Sequence, residues 1–502
     1  MNPSGPTPKI AIIGAGMSGL CMGARLRMAG IDSFTIYEKA SALGGTWRDN
    51  SYPGLTCDIP SRFYQFRFAP NPDWTERYST GAEIWRYLDS VASQFGLDDH
   101  VRTGCEVTEA RFTDGRWRIT LADGDTDEVD FLISACGVLR IPHAPEIPGA
   151  DSFSGDLFHS ARWNHDVAIA GRRVAVIGTG STGVQIVGAL GGVADRVTLF
   201  QRTPQWIAPM SNARYRSVTR SLHRRFPMLS RLAYDGFRVG AEWFSVAWVK
   251  PGLRRRTVQA WCRAHLNKVR DPQLRSRLTP DHQAMCKRLV FSGKFYPAMQ
   301  GDDVGLVTDE IERIEPTGVR TVDGALHEVD VIVFATGFDS HAYQRPMTLV
   351  GREGITLDEA WREGPRAYMT VSLPGFPNHF MLLGPHSPVG TYSLTQVSDT
   401  QACHILGWLQ RWQRGEFATV EPTQDATDRF NAEMRAAMPD TVWTSGCRSW
   451  YLGADGLPEL WPWPPQRHRK MLARPRLDDH RLHSGSTRKL GDTTTQADSR
   501  RD

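Results

Sequence analysis

The sequence predicts an α/β protein made of two Rossmann-like dinucleotide-binding domains, with a helical insertion in the second. Three observations carry this reading. An apolar strand at Ile10 to Ile13 runs into Gly14-Ala-Gly16-Met-Ser-Gly19. A second, Arg173 to Ile177, runs into Gly178-Thr-Gly180-Ser-Thr-Gly183. Between residues 211 and 294 the alternation of strand and helix stops and the pattern becomes helical. In each glycine run the first glycine permits a tight turn, the second lets a pyrophosphate approach, and the third lets helix pack on strand. One such run is weak evidence. Two runs in strand-to-helix context imply two dinucleotides and electron traffic between them.

The first domain begins at residues 9 to 38 as strand, turn, helix and strand. The helix runs from about Met17 to Ala29, where Gly30 stops it. Strand Phe34 to Tyr37 ends in Glu38. An acid at this strand end binds ribose hydroxyls and repels a 2′-phosphate, so the first site suits the adenosine of FAD. The competing reading of Glu38 is a solvated strand-end charge. Next come Leu43-Gly-Gly45-Thr46-Trp47 and SYPGLTCDIPSRFYQF, which contains Asp58 and Tyr64. Glycine, proline and aromatics are too dense there for regular structure, and the stretch reads as an ordered loop against a flat ring. Asp58, just before Ile59-Pro60, also fits a simple turn. Strands follow at Trp117 to Leu121 and Val129 to Ala135, and residues 1 to 142 close the first part. Residues 143 to 172 are a linker, whose entry, Arg140 to Gly149, is stiffened by proline.

The second domain spans residues 173 to 334. A helix is expected at Ser181 to Leu190 and a strand at Arg196 to Phe200. Where the first copy has Glu38, this one presents Gln201-Arg202-Thr203-Pro204. A cation has replaced an acid, so Arg202 can meet a 2′-phosphate, with Lys287 as a second cation, and the site suits NADPH. Gly178, Gly180, Ser181, Thr182, Gly183 and Thr203 complete the expected contacts. Val304 to Val333 is strand-rich and ends in Phe334-Ala335-Thr336-Gly337-Phe338, where the chain returns to the first domain (335 to 473). Ser134 to Gly137 is the weaker counterpart of that motif. A helix with apolar spacing is expected at Thr400 to Trp412. Residues 474 to 502 are polar and turn-rich and read as a disordered tail.

The insertion carries 19 Lys and Arg against 4 Asp and Glu, a charge of +15 that the whole-chain value of +4 conceals. Tyr234, Phe237, Trp243, Phe244 and Trp248 are interleaved with those charges. Two readings stand: a basic aromatic face docking on anionic lipid or nucleic acid, or core and channel aromatics beneath a solvated charged face. With 40% hydrophobic and 23% charged residues the 502-residue chain reads as a globular enzyme. No apolar run approaches the ~18 residues of a membrane span, and MNPSGPTPK lacks the apolar segment of a secretory signal, which places the protein in the cytoplasm. Eight scattered cysteines without a C-x-x-C pair fit unpaired thiols in a reducing compartment, with no metal site.

Phe153-x-Gly155-x-x-x-His159-x-x-x-Trp163 resembles the fingerprint of Baeyer–Villiger monooxygenases, flavoenzymes that use FAD and NADPH. Asn164 departs from the Pro or Asp usual after the Trp. Gly45-x-Trp47-x-x-x-x-Tyr52-Pro53-Gly54-x-x-x-Asp58 matches the longer motif of the same family, and the resemblance spans roughly residues 8 to 470. Relatives that oxidise nitrogen and sulfur carry Tyr or Phe where Trp163 stands, so Trp163 favours ketone oxidation. Met285-Cys286-Lys287-Arg288 is similar to the segment that places a cation over the flavin, with Met285 where the family usually has Gly. Ala335, Thr336 and Gly337, residues 372 to 399, and Thr444 to Trp463 extend the match. The resemblance implies that NADPH reduces FAD, that the reduced flavin captures O2, and that a C4a-peroxyflavin attacks a ketone, lipophilic ones included, to give an ester or lactone. In it Arg288 is the catalytic cation, Asp58 its orienting partner, and His159 with Trp163 the connection between domains. The alternatives are an N- or S-oxygenating flavin monooxygenase and a non-catalytic NADPH-sensing flavoprotein. Nothing resembles a nucleic-acid-reading module, peripheral membrane contact is left open, and oligomeric state is not readable.

Overall fold

The computed structural model describes residues 6–484 except Ala454. Ile10–Ile13 lies at the centre of a five-stranded parallel sheet, between Phe131–Ser134 and Phe34–Tyr37, with His379–Met381 and Val101–Arg102 at the edges. A strand covered on both faces must be apolar throughout, and Ile10 to Ile13 are all buried. The second parallel sheet runs Val304–Val307, Arg196–Phe200, Arg173–Ile177, Val331–Phe334, Asp156–His159. Each central strand enters its glycine run, and each run opens a helix, Met17–Met28 in the first domain and Ser181–Leu190 in the second. Smaller sheets flank both: antiparallel Val107–Thr113, Arg116–Leu121 and Thr126–Val129, joined by a parallel Thr348–Val350, beside the first, and antiparallel Ile311–Glu315, Gly318–Thr321 and Leu326–Glu328 beside the second.

Several expectations change. The run Val129 to Ala135 is two strands in different sheets, divided at Asp130, whose carboxylate accepts from the Lys9 backbone and the Arg116 guanidinium. The stretch read as a linker contributes Asp156–His159, an edge strand too short and polar for its pattern to show. Ala335 directly follows Val331–Phe334, and its backbone N–H donates to the Ile177 carbonyl. The helix expected from Thr400 spans Leu394–Gln413. Its first turns are buried through polar groups: Ser398 Oγ lies 2.8 Å from Ser18 Oγ, and Arg25 donates to both oxygens of Asp399 at 2.6 and 2.9 Å. Apolar spacing cannot reveal a face that packs this way. Within the expected tail, His480–His483 pairs antiparallel with Thr419–Pro422, so residues to 484 belong to the fold. The rest of the tail lies outside the described residues.

The cysteine expectation is also corrected. Cys286 and Cys447 form a disulfide across a sequence separation of 161, a distance no spacing pattern exposes, and six thiols are free. The insertion is helical as read, with helices Ser217–Arg225, Pro227–Val249, Leu253–Leu266 and Pro272–Arg277. No helix among the described residues is long and apolar enough to cross a membrane.

Candidate active site

Both glycine runs have the shape a pyrophosphate needs. A Cβ on Gly19 would lie 1.9 Å from the Gly14 carbonyl oxygen, and one on Gly183 would lie 2.0 Å from that of Gly178, so any side chain there would force helix from strand. Gly14 and Gly178 take φ of +107° and +115°, and their Cβ positions meet the carbonyl oxygens of Ala135 and Ala335 at 2.7 and 2.5 Å. The SACG and FATG stretches are thus equivalent pieces of two equivalent cradles. Neither helix start, at Gly16 or Gly180, is capped by a side chain, leaving first-turn N–H groups to an anion. A Cβ on Gly180 would meet nothing within 4 Å, whereas Gly16 faces Gly45, the Cβ position of Gly45 lying 3.1 Å from the Gly16 Cα.

The groups around each cradle differ as the sequence suggests. Glu38 is buried and accepts from the backbone N–H groups of Ala15 and Ala40 at 2.9 and 3.0 Å and from Arg48 at 3.3 Å. It therefore ties the first glycine run to its strand and is not a solvated charge. Thr46 donates to the Leu139 carbonyl, and the Trp47 indole donates to the Tyr64 hydroxyl at 3.1 Å. In the second cradle the Thr179 hydroxyl donates to the Thr203 carbonyl at 2.6 Å. Arg202 is exposed and has no ion-pair partner among the described residues. Half-buried Lys287 lies close enough that burial first, and then the charge of Arg202, lower its pKa, with Asp281 opposing. Two neighbouring cations, of which only Lys287 has an acid, Asp281, close by, fit a phosphate.

The two domains meet through the Tyr52–Asp58 loop. Tyr52 donates to Gln185 Oε1 at 3.0 Å, and Gln185 Nε2 donates to the Thr56 carbonyl at 2.9 Å. A Cβ on Gly54 would strike the Gln185 carbonyl oxygen at 2.6 Å, so this loop needs glycine to lie against helix Ser181–Leu190. From the same loop Asp58 accepts from Arg288 Nη2 at 2.6 Å. About a third of the Arg288 side chain, 36%, remains open, against 18% for Asp58. The charge of Asp58 is the largest influence on the guanidinium and holds it charged against the cost of burial, with Tyr451 contributing.

Tyr451 is the residue that sequence reading passes over. It is buried, its phenol pushed up by burial, and it packs where a Cβ on Gly390 would come within 2.8 Å of its hydroxyl and 3.9 Å of Arg288 Nη1. Segments around residues 58, 288, 390 and 451 thus converge on one guanidinium. Gln185 was likewise missed, since a glutamine inside a helix announces no role.

Met285, standing where glycine was expected, takes φ +77°. A left-handed backbone costs a non-glycine residue about 1–2 kcal/mol. Burial of its side chain, 1% exposed in the second domain's core, offsets more, since losing a buried Met side chain costs about 2–5 kcal/mol. The Cys286–Cys447 bond fixes the next residue.

The fingerprint residues lie elsewhere, on and beside the edge strand of the second sheet. Phe153, like Ile147, packs against the buried cluster that contains Val319, and a Cβ on Gly155 would lie 2.3 Å from the Asp330 carbonyl oxygen. His159 Nδ1 accepts from the Ala161 backbone, and its ring stands edge-on to Phe338 at 5.9 Å, where the chain leaves for the first domain. Burial lowers the His159 pKa, opposed by the Gly337 backbone. Trp163 is buried against Phe158 at 5.1 Å. Thr336 donates to the His143 carbonyl and His143 to that of Gly337, so these residues brace the crossing between domains.

The model of the flavin-binding monooxygenase-like family matches residues 7–347. The chain is 56% identical to an uncharacterized monooxygenase of Mycobacterium tuberculosis over 94% of its length and 95% of the relative's. It is 37% identical to a Baeyer–Villiger monooxygenase of Streptomyces coelicolor over 98% and 95%. Among solved structures, the OTEMO complex with FAD and NADP superposes with a TM-score of 0.83 at 27% identity, covering 94% of this chain and 98% of that one.

Proposed function

The chain belongs to the flavin-binding monooxygenase-like family and is an NADPH-dependent flavoprotein monooxygenase, and from that premise we propose that it inserts one oxygen atom of O2 beside a ketone carbonyl to give an ester or lactone. The observation that carries this reading is Arg288, held at 2.6 Å by Asp58 yet partly open between the two cradles' domains. FAD, reduced by NADPH, supplies the electrons and activates the oxygen. The first glycine run, Glu38 and the Gly45–Trp47 turn fit FAD. The second run with Arg202 and Lys287 fits NADPH. A ketone is attacked by an oxygen carrying negative charge, and a guanidinium that stays protonated at any working pH stabilises that charge where it develops. Asp58 and Tyr451 aim it. Oxygenation of nitrogen or sulfur uses a neutral, electrophilic oxygen and gains little from such a cation. Product analysis with a cyclic ketone and a thioether tests the reading: lactone should dominate, and sulfoxide formed in preference to lactone would refute it.

The coenzyme assignment gives a second expectation. Losing one charge-assisted contact to a phosphate costs about 1.5–3 kcal/mol. Arg202→Ala should therefore raise KM for NADPH by roughly one to two orders of magnitude and leave that for NADH nearly unchanged. Equal losses with both coenzymes would remove Arg202 from the 2′-phosphate site.

A further inference from the structure

The insertion's aromatics divide into two sets that the sequence could not separate. Tyr234 and Trp248 are buried, Phe237 and Phe244 are half-buried, and Trp243 stands out at 55% exposed. On helix Pro227–Val249, the exposed Met228, Leu232, Val239 and Trp243 recur at spacings of four, seven and four, which places them within an arc of about 60°. The opposite side carries the buried Ser230, Tyr234, Ser245 and Trp248 that join the helix to the fold. Leu222 and Phe226, on and just after the preceding helix, continue the apolar set, and the six residues are 46–71% exposed. At the far end Arg254 lies over the Trp243 ring at 4.7 Å, and its neighbour Leu253 is 80% exposed. This is a protruding apolar ridge, which a monomer in water has no reason to keep.

Its surroundings select the partner. Arg216, Arg225, Arg231, Lys250 and Arg256 are exposed and have no ion-pair partner among the described residues. The two acids of the long helix are already taken: Asp235 binds Arg67 and Arg238, and Glu242 binds Arg238 and Arg469. A second copy meeting this face would bring two strongly basic surfaces together. An anionic surface neutralises the cations and accepts the side chains between them, as interfacial helices do.

We infer that the outer face of the insertion docks on a membrane rich in anionic phospholipid, with Leu232, Val239 and Trp243 entering the headgroup region. The docking stands apart from the oxygenation reading, because none of these residues touches the cradles or Arg288. The test is co-sedimentation of the full-length holoenzyme with vesicles of phosphatidylglycerol and phosphatidylcholine, beside vesicles of phosphatidylcholine alone. Binding to the anionic vesicles is expected at low salt, and release as salt approaches 1 M, where screening shortens to about 3 Å. Arg225→Gln with Arg231→Gln should weaken partition roughly fivefold per cation, about thirtyfold together. Leu232→Ser with Trp243→Ser should weaken it too, which a purely electrostatic adsorption would not show. Both double variants should turn over a water-soluble substrate as the parent does. Failure to sediment at low salt, equal binding to neutral vesicles, or unchanged partition of the Ser variant would overturn the proposal. Retention by polyglutamate without vesicle binding would also overturn it and reassign the face to an acidic protein.

Discussion

Arg288→Ala is expected to bleach its flavin with NADPH under anaerobic conditions at near the parent rate, yet to form ester about 10² to 10³ times more slowly and release hydrogen peroxide instead. Hydride transfer from nicotinamide to flavin asks nothing chemical of a side chain placed for the later oxygen. Oxygen transfer to a ketone does, because negative charge accumulates on oxygen as the carbonyl is attacked. On the proposed reading Arg288 serves that second step. Its pairing with Asp58 keeps it charged and fixes its direction, and the open third of the side chain leaves donors for a second partner. Lys at this position would keep the charge and lose the planar fork, so Arg288→Lys should retain partial ester formation. The rival reading is that Arg288 only clamps the Tyr52–Asp58 loop to the second domain. On that reading Arg288→Ala weakens FAD retention and both half-reactions fall together. Stopped-flow reduction measured beside product yield separates the two, and substantial ester from the Ala variant would exclude Arg288 from the chemistry.

What the sequence made legible follows from where the information is local. A glycine run is needed because one carbonyl oxygen sits 1.9 Å from a would-be Cβ five residues along the same chain, so Gly14 to Gly19 reports its own structure. The contrast of Glu38 with Arg202 is local in the same sense, one residue after the first strand and two after the second. The core strands are legible because all of Ile10 to Ile13 and of Val174 to Ile177 are buried. What stayed hidden depends on distant partners. The early turns of helix Leu394–Gln413 are specified by Ser18 and Arg25, hundreds of residues upstream. Tyr451 matters through Gly390 and Arg288, and the exposed and buried aromatics of the insertion alternate with no composition difference to mark them. Met285 looked like a departure from a glycine position. It keeps the glycine conformation, and burial of its side chain compensates.

The disulfide is the part of the site furthest from local information, and its loss should be among the larger effects on stability. Cys286 lies between the left-handed Met285 and Lys287-Arg288, while Cys447 lies four residues before Tyr451. One covalent bond therefore joins the two segments that approach the guanidinium, and it closes a loop of 161 residues. Loop entropy alone suggests a stabilisation of about 5 kcal/mol, and measured values for native disulfides are typically about 2–4 kcal/mol. Cys447→Ser should thus lower the midpoint of urea unfolding by an amount equivalent to about 2–4 kcal/mol. Reductant should bring the parent down to the variant and leave the variant unmoved. Because a strained turn persists only where its surroundings over-determine it, freeing Cys286 should also let Met285 relax and Arg288 wander from Asp58. A larger share of NADPH oxidation should then end in hydrogen peroxide, with flavin reduction unchanged. Thiol titration supplies the independent check. Denatured, unreduced protein should show six reactive thiols per chain and eight after reduction. Eight before reduction would show that the bond is absent and that burial alone holds the Met285 turn.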